Sequence, residues 1–193
     1  MQTRKYSRRR AALAVLALLL AVGALGCGHD GDDWQEATSA SGNYVVEFPG
    51  KPTTETMQLP NSDLSMQLTK VETSDSAFVL SEGDMTGITP KPLDRVVDAT
   101  IEGMRAQEDA VALGSVTATE ISRTTGDFEG VETRSVSFTI DRLVGKKTAI
   151  ALIFHRNDTL VSAIVVYEGE ADPEAAHRFL SSLKSNPAPD SSA

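Results

Sequence analysis

Cysteine is nearly absent: the 193 residues contain one, Cys27, so no intramolecular disulfide can form and any fold must hold by its own core. Aromatic residues make up 5% of the chain, with a single Trp. Histidines are three, His29, His155 and His177, with no His-x-x-x-His pair and no cysteine pair to build a zinc site. Positive charge is also in deficit. Lys and Arg number 18 against 27 Asp and Glu, a formal charge of -9, which excludes a general nucleic-acid binder because such proteins neutralise phosphates with clustered cations. At 40% apolar, the chain is still rich enough in hydrophobic residues to fold, which excludes a wholly disordered protein.

The few cations are unevenly placed. Arg4, Lys5, Arg8, Arg9 and Arg10 cluster at the start, and no acidic residue occurs before Asp30. An uncharged stretch from Ala11 to Leu25 follows, shorter than the roughly 20 apolar residues a membrane-spanning helix needs. A basic segment, a short apolar segment and small residues at its end are the three parts of a secretory signal peptide, so residues 1–26 are expected to be one, cut after Gly26. Ser7-Arg8-Arg9-Arg10-Ala11-Ala12-Leu13 is similar to a twin-arginine export signal, and the general and twin-arginine routes both stay open.

The sole cysteine stands directly after this segment. Ala24-Leu25-Gly26-Cys27 resembles the lipobox of bacterial lipoproteins, with Ala24 where that family prefers Leu. The resemblance implies a diacylglyceryl group on the Cys27 thiol, cleavage after Gly26 and acylation of the new amine, leaving the protein anchored by several acyl chains at a periplasmic or surface-facing membrane leaflet. Ala24-x-Gly26 also satisfies the small-x-small rule of ordinary signal peptidase, the alternative being a freely secreted protein.

Residues 27–41 then read as the lipidated cysteine and a flexible tether of small and acidic residues. Asp30, Asp32, Asp33 and Glu36 lack the alternate spacing and terminal glutamate of an EF-hand loop. Residues 42–184 form the expected domain, and residues 185–193, with Pro187 and Pro189 among Ser and Ala, an expected disordered tail.

Inside the domain, period-two patterns predominate. Tyr44, Val46 and Phe48 alternate before Pro49-Gly50, predicting a strand and a turn. Leu64, Met66 and Leu68 alternate with Ser65, Gln67 and Thr69, and Val136, Phe138 and Ile140 with Ser135, Ser137 and Thr139, predicting strands with one face in water. Ala77 to Leu80 is a shorter apolar strand. Thr148–Phe154 and Leu160–Tyr167 are apolar on both parities and predict a central hairpin, buried on both faces and turning at Arg156-Asn157-Asp158. Leu93, Val96, Val97, Ile101 and Met104 make one helical stripe, and Ala176, Phe179, Leu180 and Leu183 another, the second opened by Asp172 as N-cap and Pro173 in the first turn. The expected fold class is α+β: an antiparallel sheet of about six strands flanked by helices, in three layers.

Tyr44-Val45-Val46-Glu47-Phe48-Pro49-Gly50-Lys51-Pro52, the helix from Leu93, the turn Gly126-Asp127-Phe128-Glu129-Gly130, the long hairpin and Ala176-His177-Arg178-Phe179-Leu180 together resemble the PsbP-like fold. That fold is named for the extrinsic photosystem II subunit and shared with a eukaryotic Ran-GTPase-binding import factor. The resemblance spans roughly residues 42 to 184 and implies an antiparallel sheet flanked by helices, partner binding and no catalysis; the photosystem subunit's partner does not carry over, since none of its binding residues is matched.

Few residues suggest chemistry of their own. The three histidines read as surface residues. There is no Gly-x-Ser-x-Gly elbow, and Asp127 and Glu129 would repel phosphate from the Gly126–Gly130 segment. Glu82 and Asp84 are placed to share a proton, but a solvated acidic face explains them more simply. Lys146 and Lys147 offer a contact for an anionic lipid or acidic partner, or protection of a strand edge. Trp34, among acids, either docks on a partner or the bilayer interface, or packs on the domain's flank. The expectation is a non-enzymatic interaction module at the membrane surface, with no cofactor, no metal and an unidentified protein partner. The alternative is an envelope module binding a small molecule or lipid.

Overall fold

The computed structural model describes residues 33–58, 65–87, 89–112 and 114–186. Gly26, Cys27, His29, Leu64 and residues 187–193 lie outside them, and with them the expected cleavage, lipidation and most of the expected tail.

The expected hairpin is the centre of the molecule. Strands β8 (Lys146–Arg156) and β9 (Thr159–Glu168) pair antiparallel around the turn at Asn157-Asp158, where Asn157 takes a left-handed φ of 53°. β5 (Ser76–Asp84) and β4 (Ser65–Glu72) extend the sheet on one side, and β7 (Val131–Asp141) on the other. β3 (Thr53–Gln58) and β6 (Thr117–Phe128) close its edges, giving a seven-stranded antiparallel sheet in the order β3-β4-β5-β9-β8-β7-β6.

Both faces of this sheet are covered, as the two-sided apolar pattern of the hairpin requires. On one face lies α1 (Leu93–Val111), burying Val96, Val97 and Met104 against Val136, Phe138, Ile140 and Ile164. Arg123 on β6 pins its first turns, with Nη2 2.8 Å from Asp98 and Nη1 3.3 Å from Asp94, while Glu120 of the same strand, 2.6 Å from Nη2, holds the guanidinium in place. The opposite face carries α2 (Pro173–Ser182) and a small three-stranded sheet, β1 (Trp34–Thr38), β2 (Tyr44–Pro49) and β10 (Lys184–Ser185), ordered β1-β2-β10. Phe48, Phe78, Leu80, Phe154 and Phe179 form its core. Asp172 caps α2 as expected, accepting hydrogen bonds from the backbone N–H groups of Glu174 and Ala175 at 2.9 and 3.1 Å.

Four expectations change. Among the described residues the fold has ten strands in two sheets rather than about six, because β1, β3, β6 and β10 are polar edge or peripheral strands with no apolar alternation to announce them. Trp34 to Thr38 is not tether: it pairs with β2 over five residues, satisfying that strand's outer backbone. Ser185 and Asn186 are not tail, since Ser185 pairs with Tyr44 and the Asn186 N–H donates to the Asn43 carbonyl at 2.8 Å. The polar side of β4 does not face water. Thr69 is buried and Gln67 half-buried, because the loop before β2 covers them, the Ala40 N–H donating to Thr69 Oγ1 at 2.8 Å. Among the described residues, no helix is long and apolar enough to cross a membrane.

Candidate functional site

A groove of about 570 Å³ opens where β1, β5, β9 and the start of α2 meet. Its aromatic wall follows from the fold. Phe78 and Tyr167 face each other across β5 and β9 with ring centroids 6.2 Å apart, and Trp34 stands edge-on to Phe78 at 5.7 Å. The rim is acidic: Asp75 lies in the turn before β5, Glu170 in the turn after β9, and Asp172 and Glu174 at the start of α2, all exposed. Asp172 also belongs to the cap, and the Tyr167 hydroxyl donates to its carbonyl at 2.9 Å. Burial is the main cause that pushes the Tyr167 hydroxyl well above its ordinary value, with Asp172 and Asp75 adding to it, so it stays protonated and able to donate.

Arg178 is the cation in this groove. Its guanidinium lies 4.6 Å from the centroid of the Trp34 ring, and its Nε donates to Glu47 at 2.6 Å. It is therefore already engaged by an aromatic face and a carboxylate, and the rim keeps a net negative charge.

A second, smaller cleft of about 170 Å³ lies at the far end of the same sheet face, lined by Ser41, Asn43, Ser65, Gln67, Glu82, Asp84 and Thr159. Glu82 is 4% exposed, which corrects its reading as part of a solvated acidic face: the loop before β2 folds over it, and the Ser41 hydroxyl donates to its Oε1. Asp84, two residues on, is exposed, and hydrogen bonds from Thr86 hold its carboxyl below the ordinary value.

The other singled-out residues are scattered. Lys147 is buried and pairs with Glu108 at 2.7 Å and Glu168 at 3.1 Å, so it is a structural cation rather than a free contact for lipid. His155, at the end of β8, is half-buried and not the surface residue expected, because a β8 residue near the sheet's end is overlaid by the segment containing Lys91. Burial lowers its affinity for a proton, and a hydrogen bond with the Lys91 backbone opposes this. His177 is exposed on α2. The structure does not bring His155 and His177 together with a carboxylate cluster: among the described residues, no group of three or more His, Cys, Asp or Glu converges. Trp34, which the sequence left between two readings, packs on the domain's flank and lines the groove. The groove itself was not legible beforehand. Its signal is four acids and three aromatics from segments far apart in sequence.

Comparison with family models and with curated proteins returned no match. Among solved structures, the chain is similar to cyanobacterial PsbP (CyanoP) from Synechocystis sp. PCC 6803, with a TM-score of 0.57 at 13% identity, covering 86% of this chain and 99% of that one. A weaker likeness, TM-score 0.38 at 12% identity, is to a Pseudomonas aeruginosa protein of unknown function, covering 74% of this chain and 85% of that one. The fold is therefore PsbP-like: a mostly antiparallel sheet with two helices.

Proposed function

We propose that this protein is a lipid-anchored component of the bacterial cell envelope that acts as a non-enzymatic interaction module, and that the groove beside α2 receives its partner. The observation that carries this reading is the pairing of an aromatic wall, Trp34, Phe78 and Tyr167, with a rim of Asp75, Glu170, Asp172 and Glu174. A protein segment bearing Lys or Arg beside an apolar residue complements such a surface. Its cation meets the rim, and its apolar part covers the partly exposed Trp34 ring, which stands over the buried Phe78 and Tyr167. The anchor reading rests on Ala24-Leu25-Gly26-Cys27. Because β1 begins at Trp34, the chain from Cys27 to the groove spans at most about 25 Å, so a lipidated Cys27 would hold the groove near the bilayer surface.

A second reading, an envelope module for a small molecule or lipid, is favoured by the groove's volume of about 570 Å³. Ligand pockets run from roughly 300 to 1,000 Å³. The ligand would be cationic, for the same reason as the partner.

Cross-linking and co-purification from native membranes separate these readings, with Cys27→Ala and Asp75→Lys/Glu174→Lys forms in parallel. The interaction reading expects a stoichiometric protein partner, lost in the groove variant and diluted in the Cys27→Ala form. Wild type that stays in the membrane with no specific protein, yet is stabilised by a cationic small molecule, supports the second reading. Wild type found mainly in the soluble fraction would overturn the lipid anchor.

A further inference from the structure

The small cleft at the end of β4 and β5 contains oxygens that the described fold leaves unanswered. Glu82 Oε2 and Gln67 Oε1 are both buried, and among the described residues neither has a hydrogen-bond partner. Their closeness is fixed by register: Gln67 on β4 sits directly opposite Glu82 on β5 and so shares its face of the sheet. Asp84 lies two residues along the same strand, again on that face, and is paired in register with Thr159 of β9. Ser41 and Asn43, from the loop that folds over the cleft, complete an all-oxygen or amide lining.

A buried carboxylate oxygen without a donor is costly, and the Ser41 hydroxyl answers for Oε1 alone. Three species can answer for the rest: a water molecule, a proton on Glu82 or a bound cation. A water or a proton leaves the Asp84 charge without a counter-charge, since the lining holds no Lys or Arg. A cation draws on Glu82, Gln67 and Asp84 together, and the absence of sulfur and imidazole from the lining selects a hard, oxygen-seeking ion. Two carboxylates, an amide carbonyl and neighbouring hydroxyls suit the flexible coordination of calcium better than the strict octahedron of magnesium.

We propose that Glu82, Asp84 and Gln67 form a calcium site, which on filling ties the loop before β2 to the end of the central sheet. The site is independent of the groove and of the anchor, since it lies at the opposite end of β5 from Asp75.

The test is thermal unfolding and calorimetric titration of the full-length chain in detergent, stripped of metal, with calcium chloride as the probe. At about 100-fold saturation the wild type should gain about 2.7 kcal/mol, raising its Tm by roughly 5–10 °C. Glu82→Gln and Asp84→Asn should lose most of that gain, and magnesium should give a smaller one. Asp84 is exposed, so its variant keeps the test valid even where a change at buried Glu82 prevents folding. Equal melting in chelator and in millimolar calcium would overturn the site. So would a calcium gain that survives both substitutions.

Discussion

Glu129 accepts the backbone N–H of Ser185 at 3.0 Å and its hydroxyl at 2.6 Å, fastening the tip of the β6–β7 hairpin to the last strand of the fold. Arg156 Nη1 donates to the same carboxylate at 2.8 Å. Glu129 does this from a left-handed backbone, φ 50°, followed by Gly130 at φ 83°. The tertiary contact thus holds a non-glycine residue where most side chains are disfavoured.

Two consequences at this residue can be measured. The Ser185 hydrogen bonds, and then Arg156, pull the Glu129 carboxyl from its ordinary 4.5 down to about 2. A carboxyl depressed in the folded state contributes stability that is complete above pH 4.5 and is lost as pH falls towards 2. Glu129→Gln should therefore flatten part of the acid limb of a stability–pH curve measured by urea unfolding. Glu129→Ala should cost more than Glu129→Gly, by about 1 kcal/mol, because glycine adopts positive φ without strain; equal costs would refute the backbone argument.

Glu108 on α1 is buried between Lys147 Nζ at 2.7 Å and Arg142 Nη1 at 3.2 Å. Glu108→Ala should destabilise by about 3–5 kcal/mol in urea unfolding, since it strips a buried lysine of a close partner. Glu168→Ala should cost clearly less: Glu168 is half exposed, and Lys147 keeps Glu108. The reverse order would refute Glu108 as the partner that matters most to Lys147.

His155 gives a signature in the opposite pH region. Burial lowers its proton affinity below the ordinary 6.5, outweighing the hydrogen bond with Lys91. The unfolded chain then takes up the proton first as pH falls, so stability is full above 6.5 and declines below it until folded His155 titrates too. NMR titration of the imidazole should show the depressed value directly. His155→Gln should remove the part of the slope that begins below pH 6.5 in unfolding experiments.

Phe179 anchors α2, fully buried, with ring centroids 5.2 Å from Phe48 and 5.5 Å from Phe78. Phe179→Ala should cost about 3–5 kcal/mol. Trp34→Ala, at the rim of the same cluster, should cost less than that and leave the far-ultraviolet dichroism nearly unchanged. If the proposed groove is right, it should nonetheless abolish partner capture, which separates a binding role from a packing one.

Elements that bury apolar surface were readable in advance. The β8–β9 hairpin, its turn, both helices and the Asp172 cap follow from period and capping chemistry, and the structure places them as expected. Elements whose stability comes from pairing were not. β3, Thr53 to Gln58, is almost wholly exposed, and β6 carries Ile121 outwards, so neither shows a hydrophobic face to detect. Glu82 was visible as an acid, but its burial depends on a loop that starts at Ser39, and no local pattern reports that.

By itself the sequence determined that one cysteine follows a basic and then an apolar segment, that the chain is acidic, and that a sheet covered on both faces lies within it. These properties are local, fixed by composition and by spacing along the chain. Tertiary structure decided that Trp34 belongs to the domain, that Lys147 is buried, and that an aromatic wall meets an acidic rim beside α2. Each of these depends on contacts between segments distant in sequence, β1 with β2, Lys147 with Glu108 of α1, and the turns beside β5 and β9 with α2, and such contacts leave no trace in the side-chain period from which a sequence is read.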